Sequence, residues 1–169
     1  RTLESITSPS LLVSIGVSTG ALPLYQRLGY QIGVMQHWVL VNQSSKSRLR
    51  RGEWVTQKST QPSDSHKVTC HTPNVLPENN NPEVVPNKSA RYILNKYTSR
   101  LLREYLFFEI FSADKSLLLV ARTIEANSSR VIRIVDGYGS FELLSSSSEA
   151  LRDLLKSSDC EYLDIVAHG

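Results

Sequence analysis

A mixed α/β fold, with a largely antiparallel sheet flanked by helices, is what this sequence predicts, and three features predict it. Near the start, a β-prone apolar run, a short helical pattern and a second β-prone run follow one another from Leu11 to Asn42. After about Asn87, a helical pattern is followed by β-prone segments separated by turn residues, which reads as an antiparallel meander. That meander is followed by an amphipathic helix and a final apolar strand, Tyr162 to Ala167.

Each element has a local cause. Leu11 to Val17 is apolar and β-prone, as suits a strand buried on both faces. Ser18, Thr19 and Gly20 interrupt it and offer a helix N-cap. Pro23 fits the first turn of a helix, where a missing N–H costs little. Leu22, Tyr25 and Leu28 recur at helical spacing, and Gly29 stands where a left-handed residue ends a helix. Ile32 to Val41 then predicts a strand pair, and Arg1 to Ile6 the last turn of an earlier helix.

From Gln43 to about Pro86 the composition shifts to Ser, Asn, Thr, Pro and Lys, which cannot bury enough apolar surface to offset ordering entropy. This stretch is read as a linker with one short strand near Glu53 to Gln57. Beyond it, Ala90 to Tyr97 suits a helix with Tyr92, Ile93 and Tyr97 among its packing positions. Tyr105 to Phe111, Leu117 to Ile124 and Val131 to Val135 are the meander strands. Asp136-Gly137-Tyr138-Gly139 reads as a tight loop, and Ser148 to Leu155 as a helix with Leu151, Leu154 and Leu155 inward. The expected organisation is therefore two partial domains, 1–42 and 87–169, joined by a linker over 43–86.

Composition limits the function classes. The 169 residues are 40% hydrophobic and 21% charged, enough for a core, and the net charge of +3 gives no argument for nucleic acid. Two cysteines, Cys70 and Cys160, are too few for a disulfide framework, which points to the cytoplasm. No apolar run approaches the ~20 residues of a membrane span. The chain starts at Arg1 without a Met and stops at Gly169 directly after an apolar run, which reads as a piece of a longer protein.

Two stretches carry a family resemblance. Ala21-Leu22-Pro23-Leu24-Tyr25-Gln26-Arg27-Leu28-Gly29-Tyr30 resembles the A-x-x-x-Y-x-x-x-G-[FY] segment of the GNAT acyltransferase superfamily. Gly33-Val34-Met35-Gln36-His37-Trp38, then Asn42, is similar to the G-x-x-x-H-[YW] ending of GNAT domains in bacterial surface-sugar biosynthesis. Asn87 to Tyr92, Asn95-Lys96-Tyr97 and Tyr105 look like the opening of the second domain in two-domain GNAT-like proteins. Leu119 to Arg122, Arg133 to Asp136 and Glu161 to Asp164 continue that pattern, so that 1–42 resembles the C-terminal part of one such domain and 87–169, as helix, three antiparallel strands, loop, helix and strand, the N-terminal part of a second. One departure is Arg100-Leu101, where such domains often carry His-Pro.

The resemblance implies an N-acyltransferase using acetyl-CoA or another acyl-CoA as co-substrate and a small-molecule amine, such as an amino-sugar or nucleotide-sugar, as acceptor. It implies Tyr25 as the group that protonates the departing thiolate. The residue itself also reads as a packed aromatic. It places Ser18, Thr19 and Gly20 toward the pantetheine and adenosine side of CoA, beside their capping role. A non-catalytic binding or assembly module is the alternative.

Other candidates read as structural. His37, beside Trp38 in a strand pattern, is expected to be a packed or surface residue. His66, Cys70 and His71 do not reach the about four ligands of a zinc site, so no metal is expected. Lys46, Arg48, Arg50 and Arg51 read as a solvated basic run. An acid at Asp136, in the place of a phosphate-holding loop, predicts that the chain as given binds CoA weakly and does not catalyse.

Overall fold

A computed structural model describes residues 17–44, 67–70, 88–98, 104–112, 115–126 and 129–168. The strand expected over residues 11–16, the helix end at 1–6, the strand near 53–57 and the basic run at 46–51 lie outside the described residues. Two compact units are present, one of Arg1–Met35 with His168–Gly169, the other Gln36–Ala167.

In the first unit, Thr19–Ala21 form a single 3-10 turn that leads into helix α1, Leu22–Arg27. Pro23 lies in the first turn of α1. Gly29 closes the segment at φ +82°, a conformation open to glycine for want of a Cβ. Ser18 precedes the turn, but its side chain makes no capping bond; its carbonyl accepts from Ala21 N at 2.9 Å. The expected side-chain cap is thus replaced by a backbone turn.

The second unit is built on a six-stranded sheet in the order β1-β6-β5-β4-β3-β2. Its strands are β1 (Met35–Val41), β2 (Lys67–Cys70), β3 (Leu106–Ser112), β4 (Lys115–Ala126), β5 (Ser129–Gly139) and β6 (Tyr162–His168). The pairs β2–β3, β3–β4 and β4–β5 are antiparallel, and β5–β6 is parallel. A parallel neighbour needs a crossover, and α3 (Leu143–Ser146) and α4 (Ser148–Ser157) supply it. Just past the end of helix α4, Asp159 takes φ +50°, a left-handed position that Asp tolerates better than most residues.

Strand alternation sorts side chains onto two faces. Phe108, Ile110, Leu117, Leu119, Ile132 and Leu163 meet Leu151 and Leu155 of α4 in the larger core. On the opposite face, Phe107, Leu118, Val120 and Tyr138 meet Ala90, Ile93 and Tyr97 of α2 (Ala90–Thr98). Tyr92, expected at a packing position, is exposed, because Ala90, Ile93 and Tyr97 already fill the i, i+3, i+7 stripe.

Three expectations change. The predicted strand pair over Ile32 to Val41 is one strand, beginning at Met35. The presumed linker contributes β2, an edge strand paired from Lys67↔Phe111 to Cys70↔Phe108. Asp136 to Gly139 is not a loop but the end of β5. There the register passes from Ala121↔Ile134 to Val120↔Asp136, leaving Val135 as an extra residue. Such a bulge inverts the alternation beyond it, so Asp136 and Tyr138 face α2 rather than α4.

Asn42 fastens the end of β1 beside the start of β6. Its amide Nδ2 donates to Cys160 O at 2.9 Å and Leu155 O at 3.4 Å, and its backbone N donates to Glu161 O at 2.9 Å. The residue is 4% exposed, and Asn42→Ala takes its donor from the Cys160 carbonyl while Leu155 O keeps the Cys160 N–H, so it is expected to cost about 1–3 kcal/mol, read as a lower urea midpoint. An unchanged midpoint would remove Asn42 from the list of groups that hold β1.

Candidate functional site

The site begins with two charges placed inside apolar strands. In β5, Arg133 stands between Ile132 and Ile134, and both isoleucines belong to the α4-side core. In β6, Asp164 stands between Leu163 and Ile165, which pack against the same core. Alternation therefore turns Arg133 and Asp164 to the α2-side face. The parallel register sets them directly beside each other, Arg133↔Asp164.

They form a forked ion pair. Arg133 Nε donates to Asp164 Oδ1 at 3.0 Å, and NH2 donates to Oδ2 at 2.6 Å. On the other side, β1 brings His37, whose Nε2 lies 2.9 Å from Asp164 Oδ2. Asp164 is completely buried, while the side chains of Arg133 and His37 are 37% and 48% exposed. Burial on its own pushes the Asp164 carboxyl up; the hydrogen bonds from Arg133 and then His37 outweigh it and hold the carboxyl below its ordinary range. An ionised carboxylate only accepts hydrogen bonds, so His37 carries a proton on Nε2, and in the neutral imidazole Nδ1 is the free base. Arg133 is in turn raised by its bond to Asp164.

Arg122 extends the row. It pairs in register with Arg133 across β4 and β5 and, next to the core residue Ala121, shares the face. Its Nε is buried and meets no hydrogen-bond partner among the described residues. Arg122, Arg133, Asp164 and His37 thus run across four adjacent strands.

The other sequence candidates fall elsewhere. Tyr25 lies on α1, half-buried, with its ring edge-on to Tyr30 at 5.2 Å between centroids. Ser18, Thr19 and Gly20 are exposed, and a Cβ at Gly20 would meet nothing within 4 Å. All four belong to the first unit. His37, read as packed or exposed, is brought to a buried carboxylate. His66 and His71 and the side chain of Cys70 lie outside the described residues; among the described residues no group of three or more His, Cys, Asp or Glu side chains is placed to hold a metal. No helix among the described residues is long and apolar enough to cross a membrane.

Asp136 serves a different end. Tyr97 Oη donates to its Oδ2 at 2.5 Å, Lys88 Nζ bonds its Oδ1, and the backbone N of Gly137 donates to Oδ1 at 2.9 Å. A carboxylate so neutralised, on a strand, does not guard a phosphate loop, and the argument for weak CoA binding from its charge falls away.

Sequence reasoning missed Asp164 and Arg133. A lone charge flanked by apolar residues in each of two neighbouring strand patterns was the available signal. No family model and no curated protein matches the chain. Among solved structures, the chain is similar to a functionally unknown conserved protein from Staphylococcus epidermidis ATCC 12228, at 16% identity and a TM-score of 0.48. The match covers 91% of this chain and spans 58% of that protein's length.

Proposed function

We propose that this chain is part of a GNAT-like N-acyltransferase in which His37 is the general base that deprotonates an acceptor amine. The observation that carries the reading is the His37–Asp164 pair, an exposed imidazole held at 2.9 Å by a fully buried carboxylate. An ammonium must lose a proton before its nitrogen attacks a thioester carbonyl, and a base hydrogen-bonded to an orienting carboxylate is the arrangement that takes it. Asp164 fixes the tautomer and offsets the charge of the imidazolium that forms; Arg133 keeps Asp164 ionised. The amine nitrogen bonds to the acyl carbon, and the carbon–sulfur bond breaks.

The sheet supports the same reading. A helix, three antiparallel strands, a crossover and a parallel strand stand in the order the resemblance implies, and β1 lies beside β6 as the back of one such fold joined to the front of another would place it. The acyl donor on this reading is acetyl-CoA or another acyl-CoA. Ser18, Thr19 and Gly20 are open to such a ligand, since they are exposed and the Ser18 side chain is not used in capping. The acceptor is an amino-sugar or nucleotide-sugar.

Release of free CoA thiol from acetyl-CoA by the full-length natural protein, over a panel of amino-sugars, tests the function. The resemblance, independently of the His37 geometry, proposes Tyr25 as the group that protonates the leaving thiolate, and Tyr25→Phe is then expected to lower turnover about 10²–10⁴-fold with CoA affinity nearly unchanged. Unchanged turnover would return Tyr25 to a packing role against Tyr30. No thiol release with any amine would favour a non-catalytic module.

A further inference from the structure

We infer that Arg122 and Arg133 form an oxyanion subsite on the sheet face that carries His37, so that the ligand of this face carries a phosphate or carboxylate group. Two guanidiniums directly opposite on neighbouring strands repel each other, and like charges so placed destabilise a sheet unless something neutralises them. Asp164 does this for one of them. It takes Nε and NH2 of Arg133, and leaves NH1 with no hydrogen bond among the described residues.

Among the described residues Arg122 has no such partner. Its Nε is buried and meets no acceptor among the described residues. A buried donor left unmet is costly, more so on a charged group that cannot shed its proton. The protein keeps such a group at a cost, beside a second arginine whose free NH1 shares the same face. The planar donor fork of arginine matches the paired oxygens of a phosphate or carboxylate, which gives this subsite its ligand class. Asp136, the nearest acid along β5, is occupied by Lys88, Tyr97 and Gly137, so it does not serve Arg122.

The inference rests on the acyl-transfer reading only in naming the ligand as the amine acceptor. The acceptor would then carry its anionic group two to three strands away from the position of His37, with the amine toward Nδ1.

Calorimetry on the full-length protein tests it without any acyl donor. The probes are inorganic pyrophosphate, for a phosphate source, and malonate, for a carboxylate source, at constant ionic strength. At least one is expected to bind, and Arg122→Gln to weaken that binding about 10- to 100-fold, as the loss of a charge-assisted pair does. Arg91→Gln, an exposed cation on α2, should leave it unchanged. Which probe binds identifies the source of the anion. Failure of both probes to bind at millimolar concentration, or equal affinity in Arg122→Gln, overturns the inference. If circular dichroism shows Arg122→Gln unfolded, phenylglyoxal modification of the wild type decides. Protection of the Arg122 peptide by the bound probe supports the subsite, and unaltered modification overturns it. Anion binding that stands while acyl transfer fails would retain the subsite and discard the enzyme reading; the reverse pattern would do the opposite.

Discussion

His37→Gln is expected to lower acyl-transfer turnover by about 10²–10⁴-fold, the range of a positioned general base. Glutamine keeps the size and a donor toward Asp164 but offers no nitrogen base. The effect should fall on kcat rather than on acyl-CoA affinity, because the lost interaction is made in the transition state. Asp164→Asn separates orientation from basicity. An amide NH2 facing Nε2 of His37 favours the opposite tautomer, with the proton on Nδ1, where it can no longer accept. In a serine-protease triad that exchange costs about 10⁴ in kcat. Here the same substitution should approach the His37→Gln loss and should shift the pH profile of the remaining activity, which a purely structural role would not do. Equal turnover in wild type and His37→Gln would remove the base assignment.

Helix and strand identities were legible wherever the local pattern and the tertiary context agree. Pro23 and Gly29 bracket α1, and Leu151 and Leu155 define the buried stripe of α4. Strand β2 was hidden because Lys67–Cys70 is short and sits in a polar, proline-rich stretch, and its long-range pairing with β3, with Val68 against the core, makes it a strand. The end of β5 was hidden for the opposite reason. Two glycines in Asp136 to Gly139 signal a turn, yet Gly139, at φ +114°, is accommodated where a Cβ would come within 2.3 Å of Ser116 O. The bulge at Val135 is not visible in a period-two pattern, although it decides which face Asp136 takes.

The site was legible only in its parts. His37 and Asp164 are 127 residues apart, so no local spacing links them. What joins them is that β6 lies between β1 and β5, a long-range pairing that buries Leu163 and Cys160. Arg133 and Asp164 each interrupt an apolar run, and an uncompensated charge there would be too costly to keep. Such an interruption is a request for a partner, and the parallel register answers it.

Asp136→Ala is expected to destabilise the second unit by about 2–3 kcal/mol. The side chain is 3% exposed, and its removal leaves the Tyr97 hydroxyl and the Gly137 N–H without their acceptor; Lys88, 30% exposed, recovers part of its hydration, which keeps the cost below that of a fully buried pair. Burial alone raises the Asp136 carboxyl, but Lys88 and Tyr97 outweigh it and hold it below the usual carboxylate range. A carboxyl lowered in the folded state contributes stability above its unfolded pKa of about 3.9, and that contribution is lost as pH falls through the folded value. Tyr97 behaves in the other direction. Burial, then the bond to Asp136, pushes its phenol up to about 12, so its contribution is present below the ordinary value near 10 and is lost as pH rises through the folded one. Asp136→Asn keeps the shape, removes the carboxyl's own contribution and leaves the Tyr97 phenol raised by burial without the added push of the carboxylate. Its stability should fall less steeply than that of the wild type below about pH 4, and absorbance titration should find the Tyr97 phenol ionising at lower pH. A wild-type acid slope retained in Asp136→Asn would transfer that sensitivity to Asp164, whose carboxyl is lowered in the same sense.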